Sequence, residues 1–191
     1  MARLGQVKGS VLVHLRVFVL RKHGEAGWRD VLERLPPEDQ KILEGILMMG
    51  GWYPVGVWNR ALDRYLPTYF VDPMSAMTEL SEHIAREDLT TLYKLILKVG
   101  TPAFIMGKTG SLWSRYFDTA TLVPKELAPR KWHLELSGSR LEDEAPSVYT
   151  CEGGVCGWLT SGLKLTGTTL HIEQTRCRFG GSPSCEYEAS W

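Results

Sequence analysis

Cysteine is absent from the first 150 residues of this 191-residue chain, so no disulfide framework braces that part. No charge of either sign is in excess. Lys plus Arg and Asp plus Glu number 22 each, and the chain lacks the cationic field on which non-specific nucleic-acid binding depends. Long apolar runs are missing too. The stretch Val11–Leu20 is broken by His14 and Arg16, falls short of the roughly 20 apolar residues of a membrane span, and is followed by no small-residue cleavage site. A cytoplasmic location is expected, with neither nucleic acid nor membrane as a partner. A phosphate loop is lacking: Gly107-Lys108-Thr109 resembles the end of one, but Pro102 stands where that pattern needs glycine. Nucleotide is therefore not expected. Gly154-Val155-Cys156-Gly157 lacks the spacing of a nucleophile elbow, and no base is placed beside Cys156. The expectation is a non-enzyme.

What is present is globular: 43% hydrophobic, 23% charged and 10% aromatic. Proline and glycine divide the first 120 residues into helices. Ser10 is the expected cap of a helix ending near Gly24, Glu25–Leu35 a second, and Pro37 the start of a third that runs to Gly50. Pro54 opens a fourth. Asp72-Pro73 and Thr101-Pro102 read as caps followed by Pro at the first helical position, Asp88 as the cap of a helix reaching Val99, and 102–117 as one helix. Beyond this the pattern changes. Thr121–Arg130 reads as a connector, Trp132–Leu136 alternates as a strand does, 137–146 is an acidic loop, and 147–165 is a glycine-rich helix. Leu170–Cys177 and Cys185–Trp191 alternate about a Gly180–Pro183 turn, a terminal hairpin. The expected fold is α+β. One domain spans 1–191, mainly helical over 1–120, with strand, helix and hairpin over 121–191.

All four cysteines fall in the last 41 positions: Cys151, Cys156, Cys177 and Cys185. Cys177 and Cys185 flank the hairpin turn, so in simple register their thiols face each other. Cys156 is about 140° round a helix from Cys151 and is unsuited to share its site. Zinc, buried reduced thiols and a disulfide all remain open on this pattern. For zinc a fourth ligand is needed. The candidates are Glu173, His171 and Cys156; Glu173 and His171 share a strand face with Cys177 by the period-2 rule, whereas Gln174 points the other way.

The run Cys151…Gly157-Trp158…Glu173…Cys177…Gly180…Cys185-Glu186-Tyr187 resembles the C-terminal motif of the 4-vinyl reductase domain, a small-molecule sensor. Its superfamily includes haem-nitric-oxide-binding domains and small subunits of the TRAPP vesicle-tethering complex, which Lys8-Gly9-Ser10 and the helical first half also resemble. Trp52-Tyr53-Pro54, Leu112-Trp113, Tyr116-Phe117-Asp118 and the terminal Cys-Glu-Tyr-Glu-Ala-Ser-Trp are similar to a family of like-sized myxobacterial proteins. The resemblance implies an apolar cavity between helices and sheet, frequent homodimers, and zinc held by three cysteines and a glutamate. Cys151, Cys177 and Cys185 match that set, with Glu173 as the fourth ligand. The matching glutamate position, three before the middle cysteine, is Gln174 here.

Haem is not expected, because 104–117 holds no histidine and no Tyr-x-Ser-x-Arg pattern follows. His83, in a polar run, reads as a surface residue. Trp52, Tyr53, Trp58, Phe104, Trp113, Tyr116, Phe117 and Trp158 are the candidate ligand-binding residues. The leading reading is a sensory domain for a small apolar or aromatic molecule, read out by an unidentified signalling partner protein. The other is a dimeric interaction or scaffold module without ligand.

Overall fold

Trp132, Leu134 and Leu136 alternate with Lys131, His133 and Glu135, and in a computed structural model this segment is a strand with the apolar set buried. The structure describes residues 5–92, 100–138 and 147–191. The helical half comprises β1 (Gln6–Lys8), α1 (Gly9–Glu33), α2 (Pro37–Glu44), β2 (Trp52–Pro54), α3 (Val55–Tyr69), α4 (Pro73–Leu92), α5 (Pro102–Gly107) and α6 (Thr109–Tyr116). The second half comprises β3 (Thr121–Ala128), β4 (Lys131–Ser137), a π-helical turn (Thr150–Gly154), α7 (Val155–Lys164), β5 (His171–Arg176) and β6 (Cys185–Ser190). β1 and β2 pair antiparallel, and the other strands form an antiparallel sheet in the order β3-β4-β6-β5. The fold is α+β, with helices first and the sheet and hairpin last.

Local chemistry explains two of the helix starts. Asp72 Oδ1 accepts from the Ser75 N–H at 3.0 Å and Thr101 Oγ1 from the Phe104 N–H at 3.2 Å, so both caps form. Gly24 lies at φ 67°, ψ −170°. This kink stands where two helices are expected, and the chain there runs on as two abutting pieces of α1.

Several expectations are corrected. Ser10 is not a cap: it lies inside α1, and its hydroxyl donates to Asp88 Oδ2 at 3.3 Å. Asp88 caps nothing, being buried within α4. The helix expected to reach Gly50 stops at Glu44, leaving Ile46 and Met48 exposed. The helix expected over 102–117 is two, divided at Lys108. Thr121–Arg130 is no connector, since β3 occupies most of it. Its Pro124 is tolerated because β3 is an edge strand, where a missing N–H breaks no ladder. The stretch 93–99 and the acidic loop Glu142–Glu144 lie outside the described residues.

Two cores result. One, among the helices, centres on Leu12, Leu15, Trp58, Tyr65 and Leu80; the other joins α7 to the inner sheet face through Leu134, Leu159, Leu163 and Tyr187. Trp158 packs against both. The seam is tight because α7 meets α4 through glycine. A Cβ on Gly157 would lie 2.8 Å from the Thr78 carbonyl oxygen, and one on Gly153 2.9 Å from Met77 Cβ. Gly157→Ala is expected to cost about 1–3 kcal/mol through overpacking. A thermal melt checks this, and an unchanged Tm would show that the seam yields freely.

Candidate functional site

The three clustered cysteines come together. Cys151 sits on the π-helical turn, Cys185 opens β6 opposite Leu136, and Cys177 follows β5; their Sγ atoms all lie within 4.8 Å of one another. The Tyr187 hydroxyl donates to the Cys151 carbonyl and pins the turn to the sheet. The Arg178 backbone N–H donates to Cys185 Sγ at 3.5 Å. Cys151 is pushed up by its hydrogen bond with Cys185 and by burial, and holds its proton. Cys185 is pulled down to about 6 by that same bond from Cys151, against the opposing effect of burial, with help from Arg178. Such a triad of soft sulfur atoms suits a thiophilic metal.

Glu173 does not join them, which corrects the expected ligand set. Gln174 pairs with Tyr187 and Arg176 with Glu186, so β5 uses two residues where β6 uses one. This bulge reverses the alternation beyond Thr175. Cys177 thereby shares the inner side with Gln174, while Glu173 and His171 are exposed. Gln174 joins the inner side with the cluster, where its amide acts on the Cys151 thiol against the larger upward effects, and it donates to the Tyr187 hydroxyl at 3.5 Å. Cys156 stays apart on the other side of α7, pushed up to about 12 by burial.

Next to the cluster lies an apolar cavity of about 60 Å³, walled by Val11, Trp58, Met77, Ile84, Trp113, Tyr116, Phe117, Val155, Trp158 and Leu159 among others. Of the eight candidate ligand-binding residues, Trp58, Trp113, Tyr116, Phe117 and Trp158 line it. Three do not. Trp52 lies under Lys8, whose Nζ is 4.4 Å from the ring centroid, and Phe104 is half exposed beneath Lys108. Tyr53 packs on the helical core and accepts a hydrogen bond from the Met48 N–H at 2.9 Å. Their spacing in sequence carries no sign of which way each element turns its side chains.

Thiol cluster and cavity share a wall. Trp58 Nε1 donates to Thr150 Oγ1 at 3.0 Å, which donates to Asn59 Oδ1 at 2.9 Å; Thr150 lines the cavity and precedes Cys151. Across α7, a wider cleft of about 750 Å³ is lined by Trp132, Cys156, Thr160 and Ile172. The buried Trp132 indole N–H has no hydrogen-bond partner among the described residues. That cleft was not legible in the sequence, because Trp132 reads there only as a core-facing strand residue.

His83 is not on the surface, as expected from its polar neighbours, but 4% exposed. It packs edge-on to His14, 5.7 Å between ring centroids, and against Phe18. His14 Nε2 bonds Asp88 Oδ1 at 2.9 Å, tying α1 to α4. Burial, then the His14 charge, lowers the His83 pKa below its usual 6.5. Its neutral form is the one the fold favours, so its contribution is complete above pH 6.5 and is lost as pH falls through its folded value. Tm is therefore expected to fall less between about pH 7.5 and 5.5 in His83→Leu than in the parent chain. Parallel slopes would show that His83 takes no part. His23, also lowered by burial, adds to the same window.

No protein-family model matches the chain, and no curated protein does. Among the described residues no helix is long and apolar enough to cross a membrane. Solved structures match over nearly the whole length. An H-NOX protein from S. oneidensis in the Fe(II)NO ligation state aligns at TM-score 0.73 and 12% identity, over 96% of this chain and 98% of that one. An Fe(II) unliganded H-NOX mutant from K. algicida aligns at 0.75 and 12%, over 96% and 95%. A structure described as haem redox potential modulated by porphyrin distortion aligns at 0.61 and 12%, over 96% and 99%. These likenesses concern the fold, and they support the haem-nitric-oxide-binding part of the resemblance. They also correct the expected absence of haem: these matching structures are haem proteins, and a missing motif in 104–117 is no ground for excluding the group. Tested on the residues present, the cavity wall offers Met77 and Tyr116 as side chains with an atom able to meet iron and no histidine among the described residues. At about 60 Å³ this arrangement does not fit a porphyrin, and no residue is assigned to iron. What the chain shares with its structural neighbours is the architecture of an H-NOX fold.

Proposed function

We propose that the chain is a sensory domain, not an enzyme, that takes up a small apolar molecule between α7 and the helical layer, beside a three-cysteine metal site. The observation that carries this is the cavity itself: five aromatic residues from α3, α6, α7 and the α6–β3 junction converge on one apolar space whose wall continues into the thiol cluster. As it stands the space admits a molecule of a few atoms, well below the roughly 300–1,000 Å³ of drug-sized pockets. An aromatic ligand parts Trp113 and Trp158. Movement of α7 and the π-helical turn then carries the signal to a partner protein. Zinc at Cys151, Cys177 and Cys185 braces that turn.

Toluene titrated against intrinsic tryptophan fluorescence tests the reading. Saturable binding is expected, and Leu159→Trp, which fills the cavity, should abolish it. Binding lost instead in Trp132→Phe would move the ligand to the cleft across α7. No binding in either case would sink the apolar-ligand reading. A Soret band after haemin addition would identify a tetrapyrrole as the ligand and align this chain with its structural neighbours in chemistry as well as fold. The scaffold reading draws on the exposed Ile46 and Met48 of the α2–β2 loop. A homodimer by native mass that Ile46→Asp dissociates, without toluene binding, would favour it.

A further inference from the structure

A zinc-like ion takes four ligands, and the cluster offers three thiols. Glu173 faces solvent, and Gln174 brings an amide in place of a charge. Beside the cluster lies a small, partly open chamber of about 30 Å³, walled in part by Cys151, Arg178, Leu136, Thr119 and Thr150. Of the three cysteines Cys151 lines it directly; Arg178, which follows Cys177 in the chain, and Leu136, the register partner of Cys185, supply other parts of its wall. Two polar atoms of its lining residues, Arg178 Nε and Thr119 Oγ1, are buried and make no hydrogen bond among the described residues. Thr119 is 7% exposed. A guanidinium keeps its protons throughout the physiological range, and a hydroxyl can donate. The remaining walls are the apolar Val55, Trp113, Phe117 and Ala120 and the polar Asn59 and Ser147, which already bond Thr150 and Asp63. A small space with two unused donors, one of them cationic, is suited to a weakly hydrated anion.

We propose that a metal bound at the thiol cluster has an open fourth position, and that this chamber holds the exchangeable ligand there: one small monovalent anion of chloride size, gripped by Arg178 and Thr119. The inference rests on the metal reading given above. A divalent ion with three thiolates carries a net charge of −1. The guanidinium alongside offsets it, so a further small anion enters without the repulsion it would otherwise meet. Only a coordinate bond forms, and no electron or proton is transferred.

The test uses the full chain loaded with Co²⁺, whose visible bands report its ligands. Chloride, bromide and sulfate are compared at constant ionic strength. The expected result is a saturable band shift that differs between chloride and bromide and is absent with sulfate, with the thiolate-to-cobalt charge-transfer band intact. Thr119→Val and Arg178→Gln should each weaken the halide response by about tenfold; if Arg178→Gln fails to fold, Thr119→Val decides alone. Bands insensitive to halide but altered by Gln174→Ala would overturn the proposal and make the amide the fourth ligand. A halide effect equal in both variants and the parent would mean an adventitious ion only, and would also overturn it. Cobalt bound without any halide response defeats the open position alone. No cobalt binding defeats the metal reading and the proposal together.

Discussion

Cys185→Ser is expected to weaken zinc binding by roughly a hundredfold or more, from about 10–16 kcal/mol of apparent binding energy shared among the ligands of a structural zinc site. Cys177→Ser and Cys151→Ser should do the same, because the three Sγ atoms form one group within 4.8 Å. Competition against a chromophoric chelator measures it. Two companion variants separate this site from a general loss of folding. Glu173→Gln should leave affinity unchanged, since that carboxylate is exposed on the outer side of β5. Gln174→Glu should raise it by about tenfold, because it sets a charged oxygen beside Cys151. Equal affinity in the parent and in Cys185→Ser would end the metal reading.

Trp58→Ala should give the largest loss of stability, about 3–5 kcal/mol for deletion of a buried aromatic side chain. Trp58 is 2% exposed in the helical core and is fixed by its N–H to the Thr150 hydroxyl, 92 residues away. Its removal opens a void and deprives the Thr150 hydroxyl of the indole N–H that it accepts. For a chain of this length the Tm should fall by roughly 6–20 °C. Trp58→Phe keeps much of the volume but not the N–H, and should lose less. A Tm within about 2 °C of the parent in Trp58→Ala would mean that the cavity wall is not part of the load-carrying core. The same variant should weaken toluene binding, linking stability and site through one side chain.

Helix starts were legible wherever the cap acts through local chemistry, as at Asp72 and Thr101. They were not legible where a distant partner decides. Ser10 and Asp88 both read as caps, yet they bond each other across α1 and α4, and no local pattern encodes a pair 78 positions apart. His83 misleads for the same reason: Ser81 and Glu82 suggest solvent, while Phe18 and His14 come from another helix to cover it. Pro124 argued against a strand and is accommodated only because β3 has a free edge. At the site, the three cysteines were legible because clustering and hairpin symmetry point to one place. The fourth position was not. Period-2 counting placed Glu173 beside Cys177, and a single extra residue in β5 exchanged it for Gln174. Of the aromatic candidates, those on α3, α6, α7 and just beyond α6 reach the cavity, whereas Trp52, Tyr53 and Phe104 serve other surfaces.

The seam between the two cores has a consequence for synthesis on the ribosome. The helical half is made first, yet its inner wall is completed by Trp158 and by the Thr150 hydroxyl that receives Trp58. A nascent chain that has just released residue 120 thus presents an unsealed apolar face, and closes it only when α7 emerges and its glycines settle onto α4. Fragments ending before α7 should be captured by chaperones or aggregate, and a fusion partner is better joined at either terminus than inserted between the halves.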